Sequence, residues 1–377
     1  MAGIKIRTTH TGSLPRPPEM LAALRARDNR EFDEPSAFEA TAHDAVAATV
    51  RKQREIGIDI VNDGEMSKIT YATYIKERLT GFDGESGFLP SQELSDFPEF
   101  RAKMAQRPGV RALKLPACTG AITWKDRKAV LTDISNLRAS AAGAEPDSVF
   151  MTAASPGVIS MFLDNRHYPS DDAYLEALVA VMRDEYKAIA DAGFILQLDC
   201  PDLAVGRHTR LAQLDLPEYC QKIGQHIDAI NEAIKGIPPE RVRLHLCWGN
   251  YEGPHHRDVP LKDIIATVFK ANADGISFEG ANPRHEHEWA IFRDIKLPGG
   301  KYLIPGVIDS TTNYIEHPDL VAQRLQRYAE LVGPENVIGS TDCGLETFSG
   351  AGYVDGQIAW AKLRSLVEGA ELASRLF

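Results

Sequence analysis

The sequence predicts an α/β fold, specifically a (β/α)8 TIM barrel, and two observations lead to this prediction. Short apolar runs rich in β-branched residues recur along the chain, and each ends in a polar or glycine-rich turn. Amphipathic helical patterns lie between these runs, an alternation typical of a parallel sheet. Eight or nine such units over more than 300 residues favour a closed barrel. An open doubly wound sheet is the alternative.

Nine segments have the near-continuous apolar composition of buried parallel strands. They are 7–14, 58–65, 112–122, 148–157, 194–203, 241–250, 275–281, 302–310 and 336–345. Since a barrel of this class has eight strands, we expect one of the nine to form a hairpin or to belong to an insertion.

Three segments carry apolar residues at helical spacing: 37–57, 173–193 and 318–333. Residues 81–110 are instead rich in glycine, proline and acidic side chains, which indicates an excursion inserted into the barrel. Barrels commonly use more than 250 residues as one unit. We therefore expect a single domain over residues 1–377.

The composition excludes several classes of protein. The net charge is −11 and no basic stripe stands out, which argues against a nucleic-acid or anionic-membrane partner. No apolar run approaches the roughly 18 residues that span a bilayer, and the N-terminus lacks the apolar core of a signal peptide. The five cysteines are scattered and odd in number, which favours a reducing compartment, the cytoplasm, over a disulfide framework.

Side chains capable of chemistry follow almost every predicted strand. In a barrel, the carboxyl ends of the strands form the face that carries the active site. These side chains are Asp63, Glu65, Asp199, Cys200, His245, Cys247, Glu279, Asp309, Asp342 and Cys343. We therefore expect them to surround one site.

Four of these residues form a candidate metal site. His245 and Cys247 are two apart on a strand, so their side chains point to the same face. Glu279 and Cys343 follow two further strands and complete a set of nitrogen, oxygen and sulfur donors that zinc accepts. Taken singly, a His-X-Cys pair or a lone cysteine is more often part of a core, and the set could also be a closed structural zinc site.

Beyond these ligands, the sequence resembles the cobalamin-independent methionine synthase family over nearly its whole length. The resemblance rests on TTHTGSLPRP (8–17), DGE (63–65), QLDCPDL (197–203), HLC (245–247), ISFEG (276–280), PGVID (305–309) and STDCGL (340–345). It implies a barrel like those of this family and of the uroporphyrinogen decarboxylases. It also implies that Zn²⁺ is held by His245, Cys247, Glu279 and Cys343 and activates a small thiol that attacks an electrophilic carbon.

The resemblance also implies a binding site for the rest of the thiol. In the methionine synthases, acidic side chains hold the amino group of homocysteine, and a Gly-Ser turn helps to hold its carboxylate. Gly12 and Ser13 match the turn, and Glu65 and Asp199 match the acids. The alternative roles are helix capping for Glu65 and turn stabilisation for Asp199.

Three departures from the longer methionine synthases argue against methyltetrahydrofolate as the methyl donor. Cys200 and Pro201 stand where those enzymes have Glu-Pro. Phe162 stands where they place a tryptophan on the folate ring. Thr311 stands where they carry a histidine thought to protonate the leaving folate nitrogen.

The epoxyalkane:coenzyme M transferases, single-barrel enzymes of the same family, are the alternative. Such an enzyme opens an epoxide with the zinc thiolate of coenzyme M and needs cations for the sulfonate and an acid for the alkoxide. The candidate cations are Arg16, Lys68 and Arg284, and the candidate acids are His10, Tyr71, Tyr74 and His255. Each of these could equally be a solvated loop residue.

Two further classes stay open. One is a metal-free enzyme on a uroporphyrinogen decarboxylase-like barrel, and the other is a zinc-binding protein without catalysis. The expected partners are a small thiol, homocysteine or coenzyme M, and an alkyl donor. A homo-oligomer is compatible with the sequence.

Overall fold

A computed structural model describes residues 4–29, 31, 35–87, 89–106 and 115–377. Among these residues the β-strands are β1 (Arg7–Thr8), β2 (Phe82–Asp83), β3 (Ala117–Cys118), β4 (Phe150–Ala154), β5 (Ile195–Asp199), β6 (Val242–Leu246), β7 (Gly275–Phe278), β8 (Tyr302–Ile308) and β9 (Ile338–Thr341). The α-helices are α1 (Pro18–Asp28), α2 (Pro35–Glu55), α3 (Ile75–Arg78), α4 (Gln92–Ser95), α5 (Pro98–Met104), α6 (Lys128–Ser140), α7 (Pro156–Phe162), α8 (Asp171–Asp191), α9 (Leu216–Ala233), α10 (Leu261–Val268), α11 (Pro318–Val332) and α12 (Gly356–Ser374). None of the described helices combines the length and apolarity needed to cross a membrane.

The main sheet is parallel and curled, and within the described residues it has seven strands in the order β1-β9-β8-β7-β6-β5-β4. Each of these strands arises from one of the predicted segments. The helices predicted over 37–57, 173–193 and 318–333 correspond to α2, α8 and α11. The α/β class and the parallel sheet are therefore confirmed, with seven strands rather than eight.

The segment predicted as a strand over 58–65 does not form a ladder. Val61 makes one parallel bridge with Val149, and the amide of Ile60 donates to the carbonyl of Thr8 at 3.0 Å. The Val61 amide also donates to the Ser148 carbonyl, and the Val61 carbonyl accepts from the Phe150 amide, both at 3.0 Å. Side chains bond the backbone on either side of these two residues. Asp59 accepts from the Thr8 amide at 2.9 Å, and Gln53 on α2 bonds both the amide and the carbonyl of Asn62. A strand prediction from apolar pattern alone fails here because these polar side chains satisfy the backbone instead.

The predicted excursion begins with a two-stranded antiparallel sheet. Phe82 in β2 pairs with Cys118 in β3, so the candidate strand 112–122 contributes to this hairpin and not to the main sheet. Segment 112–122 is therefore the one of the nine candidate strands that we expected to form a hairpin or to belong to an insertion. The short helices α4 and α5 follow β2. Phe88 and residues 107–114 lie outside the described residues. Parts of the predicted excursion (81–110) and of the candidate strand 112–122 therefore fall there.

A buried arginine organises the polar interior beneath the strand ends. Arg243 on β6 is 1% exposed, and its guanidinium lies 3.7 Å from the centre of the Phe150 ring. It donates to the side-chain oxygen of Gln197 at 2.8 Å and to the hydroxyl of Thr9 at 3.2 Å. Gln197 in turn donates to Asp199 at 2.8 Å. A continuous set of hydrogen bonds therefore fixes Asp199 at the end of β5.

We predict that Arg243→Met lowers the stability of the protein by about 3–5 kcal/mol, since it leaves Gln197 and neighbouring acceptors buried without a donor. The matched control is Arg364→Met on the exposed face of α12, which should change stability by less than about 0.5 kcal/mol. Thermal unfolding followed by circular dichroism measures both. Equal, small shifts of Tm in the two variants would contradict the role given to Arg243.

Candidate metal and substrate site

Three metal-ligating side chains meet at the carboxyl ends of the strands. His245 is near the end of β6, Cys247 follows that strand, and Cys343 follows β9. One ligand atom from each lies within 4.8 Å of the others, and all three side chains are buried. Strand ends separated widely in sequence come together because parallel strands end at one edge of the sheet. This group is the most specific chemical feature of the site.

Glu279, the fourth predicted ligand, lies beside this group. Its Oε1 atom is 3.6 Å from the Cys343 sulfur and accepts a hydrogen bond from the Trp248 amide at 2.7 Å. The side-chain amide of Asn282 donates to Oε2 at 2.6 Å. Hydrogen bonds from Trp248 and Asn282 therefore hold both oxygens of the carboxylate, as second-sphere groups hold a metal ligand.

The protonation states of His245 and the two cysteines are compatible with binding a cation. Burial lowers the pKa of His245 to about 3, so its ring is neutral and keeps a lone pair. Nδ1 of that ring lies 3.1 Å from the Ser277 hydroxyl, which leaves Nε2 available as a ligand atom. Burial, and then the neighbouring Cys247, raise the pKa of Cys343 well above its ordinary value. Two crowded buried sulfurs are stabilised as thiolates only when a cation joins them.

These residues line a cavity of about 320 Å³. Polar lining comes from the strand ends, and apolar lining comes from the excursion and from α7. The lining includes Thr11, Ser13, Glu65, Tyr71, Leu89, Leu94, Met104, Leu115, Phe162, Asp199, Val205, His208, His245, Cys247, Asn250, Tyr251, Cys343, Thr347, Phe348 and Tyr353. Among the described residues that line the cavity there is no lysine or arginine.

Glu65 projects a carboxylate into the cavity from an unusual backbone conformation. Its φ is +57°, a left-handed value that costs energy for a residue with a side chain. Asp63 accepts from its amide at 2.9 Å, and Arg16 donates to its carbonyl at 2.9 Å. Oε1 accepts from the Thr152 hydroxyl at 3.0 Å, whereas Oε2 is buried and has no protein partner. The carboxylate of Glu65 therefore faces the cavity, and it does not cap a helix.

Gly12 permits this arrangement because it has no side chain. A Cβ atom at this position would lie 2.6 Å from Oε1 of Glu65 and 2.8 Å from the methyl group of Thr152. Ser13, the next residue, lines the cavity. The Gly-Ser turn predicted from the sequence therefore packs directly against the first acid.

Asp199 supplies a second carboxylate to the same cavity. Burial, and then the negative charge of Glu65, raise its pKa well above the ordinary value. A cationic ligand beside these two buried carboxylates would favour the ionised form of Asp199, because a positive charge offsets both its burial and the negative charge of Glu65. The described lining offers no positive side chain for this purpose.

The predicted cations do not line the cavity. The guanidinium of Arg16 donates to the carbonyls of Glu65, Lys68 and Glu346, and the ammonium of Lys68 donates to Thr152. Arg284 is exposed on the surface. Arg16 and Lys68 therefore brace the loop that carries Glu65 and are not directed at a substrate.

The candidate acids occupy different places. Tyr71 lines the cavity and packs edge-to-face on Phe162, with ring centres 6.0 Å apart. Tyr74 donates to Glu185 away from the cavity. His10 is buried against Phe150 and lies 2.8 Å from the Gln53 side chain. His10 is not among the lining residues, and burial lowers its pKa to about 4, so its role as an acid stays a prediction.

Sequence reasoning missed a second polar group behind the cavity. Glu93, His255 and Asp258 place ligand-type atoms within 4.8 Å of one another, and His208 and His285 adjoin them. The sequence signal was weak, because Glu93 stands in the excursion and the histidines are scattered over three loops. Only tertiary structure brings them together.

Comparison with known proteins identifies the family. Residues 6–92 and 162–371 match the family described as "Cobalamin-independent synthase, Catalytic domain". A methionine synthase from Sulfolobus acidocaldarius is 27% identical over 365 residues, covering 96% of this chain and 90% of that protein. A 2-hydroxypropyl-CoM lyase from Xanthobacter autotrophicus is 23% identical over 401 residues, covering 98% and 95%.

Solved structures agree on the fold. The structure of a B12-independent methionine synthase from a Shewanella species, in complex with selenomethionine, superposes with a TM-score of 0.74. It is 20% identical in sequence, and the match covers 99% of both chains. Because the family match spans most of the sequence, the chain belongs to the cobalamin-independent methionine synthase family, a family of methionine-synthase-like transferases.

Proposed function

We propose that the protein is a zinc-dependent S-alkyltransferase that methylates an amino-acid thiol, with homocysteine as the substrate. The observation that carries this proposal is the position of His245, Cys247 and Cys343 in the same cavity as the unneutralised carboxylates of Glu65 and Asp199. A ligand with a thiol at one end and an ammonium at the other satisfies both groups.

The residues present fit zinc. His245, Cys247, Glu279 and Cys343 would hold the ion, with the neutral imidazole and two sulfurs as its soft donors. Bound zinc lowers the pKa of a thiol ligand, so that the thiolate exists at neutral pH. Trp248 and Asn282 keep the Glu279 carboxylate oriented through hydrogen bonds to its two oxygens.

Glu65 and Asp199 are the proposed site for the substrate ammonium. The free Oε2 of Glu65 is the acceptor, and Gln197 holds Asp199 in place. Gly12 and Ser13 are proposed for the substrate carboxylate. Tyr71 and Phe162 stand beside the cavity where an alkyl donor would approach, and Tyr71 is the proposed proton donor.

Opening of an epoxide by coenzyme M is the second candidate, and the similarity to a 2-hydroxypropyl-CoM lyase favours it. In that reaction a sulfur–carbon bond forms, a carbon–oxygen bond breaks and an acid protonates the alkoxide. A sulfonate, however, would be repelled by Glu65 and Asp199, and no lysine or arginine lines the described part of the cavity. The charges therefore favour homocysteine.

Three broader features complete the proposal. We propose that the segment at residues 60–61, hydrogen-bonded to both edge strands β1 and β4, takes the eighth place in a closed barrel. We propose that residues 1–377 form one domain. All five cysteines are free, which supports a reducing, cytoplasmic location.

Loss of one sulfur ligand should remove the metal. We expect the purified protein to hold one equivalent of zinc and Cys343→Ser to hold much less, since the hydroxyl is a poor ligand that stays protonated. Cys220→Ser is the control, because that half-buried thiol bonds only the Asp263 carbonyl and lies outside the site. Elemental analysis by mass spectrometry gives the result. Equal zinc content in both variants would contradict the ligand assignment.

Neutralising Glu65 should discriminate between the two thiols. We predict that Glu65→Gln weakens homocysteine binding by about 10–100-fold, because the ammonium loses a charge-assisted hydrogen bond. Coenzyme M binding should be unchanged or stronger. Calorimetric titration of the zinc-loaded protein measures both affinities. Wild-type protein that binds coenzyme M and not homocysteine would establish the second candidate instead.

A further inference from the structure

The excursion supplies one wall of the cavity. Leu89, Leu94 and Met104 line it, and all three belong to the segment 89–106 that contains α4 and α5. Phe162 of α7 also lines the cavity, but it belongs to a different element from this segment. Whatever holds segment 89–106 against the barrel therefore also sets the shape of the cavity.

A buried carboxylate holds this segment from inside. Glu93 on α4 is 0% exposed, and neither of its carboxylate oxygens has a hydrogen-bond partner among the residues that the structure describes. Its Oε1 lies 3.6 Å from Nδ1 of His208, which is also buried without a partner. Burying an ionisable side chain this deeply without hydrogen bonds costs free energy. We therefore expect its contact with a polar group on another element to have a function.

The surroundings of Glu93 include a positively charged histidine, His255, and a carboxylate, Asp258. His255 lies 2.9 Å from an Asp258 oxygen through Nδ1 and 3.0 Å from the Tyr251 carbonyl through Nε2. Because both partners are acceptors, both ring nitrogens carry protons. Burial alone would lower the pKa of His255, but the hydrogen bond to Asp258 raises it above the ordinary value. Burial, the largest effect, raises the pKa of Glu93 to about 7, and the positive charge of His255 offsets part of this cost.

The same reasoning argues against a second metal site. A doubly protonated His255 has no lone pair to offer a metal. His285 is also bonded by two carboxylates, at 2.8 Å from Glu288 and 3.0 Å from Asp258. The group is better described as a charge-paired cluster into which Glu93 inserts.

This cluster is attached to the metal site. The ring of His285 stacks on Trp248 with centres 3.9 Å apart, and the Trp248 amide holds Glu279. At the surface, Asp96 in the same segment pairs with His256 and Arg257. The loop 248–258 follows the ligand Cys247 and contacts segment 89–106. These contacts therefore fix the position of the segment relative to the thiols.

We propose that Glu93 is a positioning residue that docks segment 89–106 onto the loop 248–258 and thereby forms the subsite for the transferred alkyl group. The assignment of the subsite to an alkyl group rests on the proposed function, whereas the docking of segment 89–106 by Glu93 is independent of it. The family match covers residues 6–92 and 162–371, so Glu93 lies just beyond the end of its first part.

The test compares Glu93→Ala with Glu93→Gln in the zinc-loaded protein, with Glu99→Ala on the exposed part of α5 as control. Hydrogen exchange of segment 89–106 reports docking. Affinities for L-homocysteine and S-hexyl-L-homocysteine report the thiol site and the alkyl subsite separately. In the alanine variant, the amides of segment 89–106 should exchange faster. The ratio of the affinity for S-hexyl-L-homocysteine to that for L-homocysteine should fall about tenfold or more. Homocysteine affinity and zinc content should not change.

The glutamine variant should keep most of both properties, because its amide can donate to the lone pair on Nδ1 of His208. Unchanged exchange in Glu93→Ala, or equal changes in Glu99→Ala, would overturn the docking role. Faster exchange with an unchanged hexyl preference would overturn the subsite. Two zinc equivalents that fall to one in Glu93→Ala would show that a metal holds the cluster. Failure of the wild-type protein to bind homocysteine would count against the proposed function alone.

Discussion

The convergence of two thiols and an imidazole within 4.8 Å of one another is the constraint on which the rest of the site depends. Such a group is stable in a buried cavity only if the sulfurs stay protonated or a cation joins them. The register of β6, β7 and β9 brings the ligands together, and Trp248 and Asn282 orient the neighbouring carboxylate of Glu279. The strand ends, more than any single residue, therefore determine the chemistry.

The substrate end of the cavity is shaped by negative charge. Arg243 fixes Gln197, Gln197 fixes Asp199, and Gly12 leaves room for Glu65. These contacts leave Oε2 of Glu65 available to a ligand. The nearby cations, Arg16 and Lys68, are hydrogen-bonded to protein carbonyls instead. We propose that this distribution of charge favours an ammonium over a sulfonate, because a sulfonate meets repulsion as well as the lack of a cationic partner.

Much of this arrangement was predictable because it depends on local pattern. Apolar runs that end in polar residues located seven strands of the sheet, and the rule that functional side chains lie at the carboxyl ends located the group of His245, Cys247 and Cys343. The segment 58–65 failed as a strand because Asp59 and Gln53 satisfy its backbone, which an apolar pattern does not reveal. Arg16 and Lys68 failed as lining cations because their partners are carbonyls distant in sequence. Glu93 was missed because its burial depends entirely on tertiary contacts.

The most direct test of the central claim is zinc-edge X-ray absorption of the purified protein, alone and with each thiol. The account predicts one zinc with nitrogen, oxygen and sulfur neighbours whose shell gains a sulfur with L-homocysteine and not with coenzyme M. Protein without zinc, or a zinc shell that neither thiol changes, would contradict thiol activation at His245, Cys247 and Cys343. A sulfur gained only with coenzyme M would retain the activation but contradict the assignment of Glu65 and Asp199.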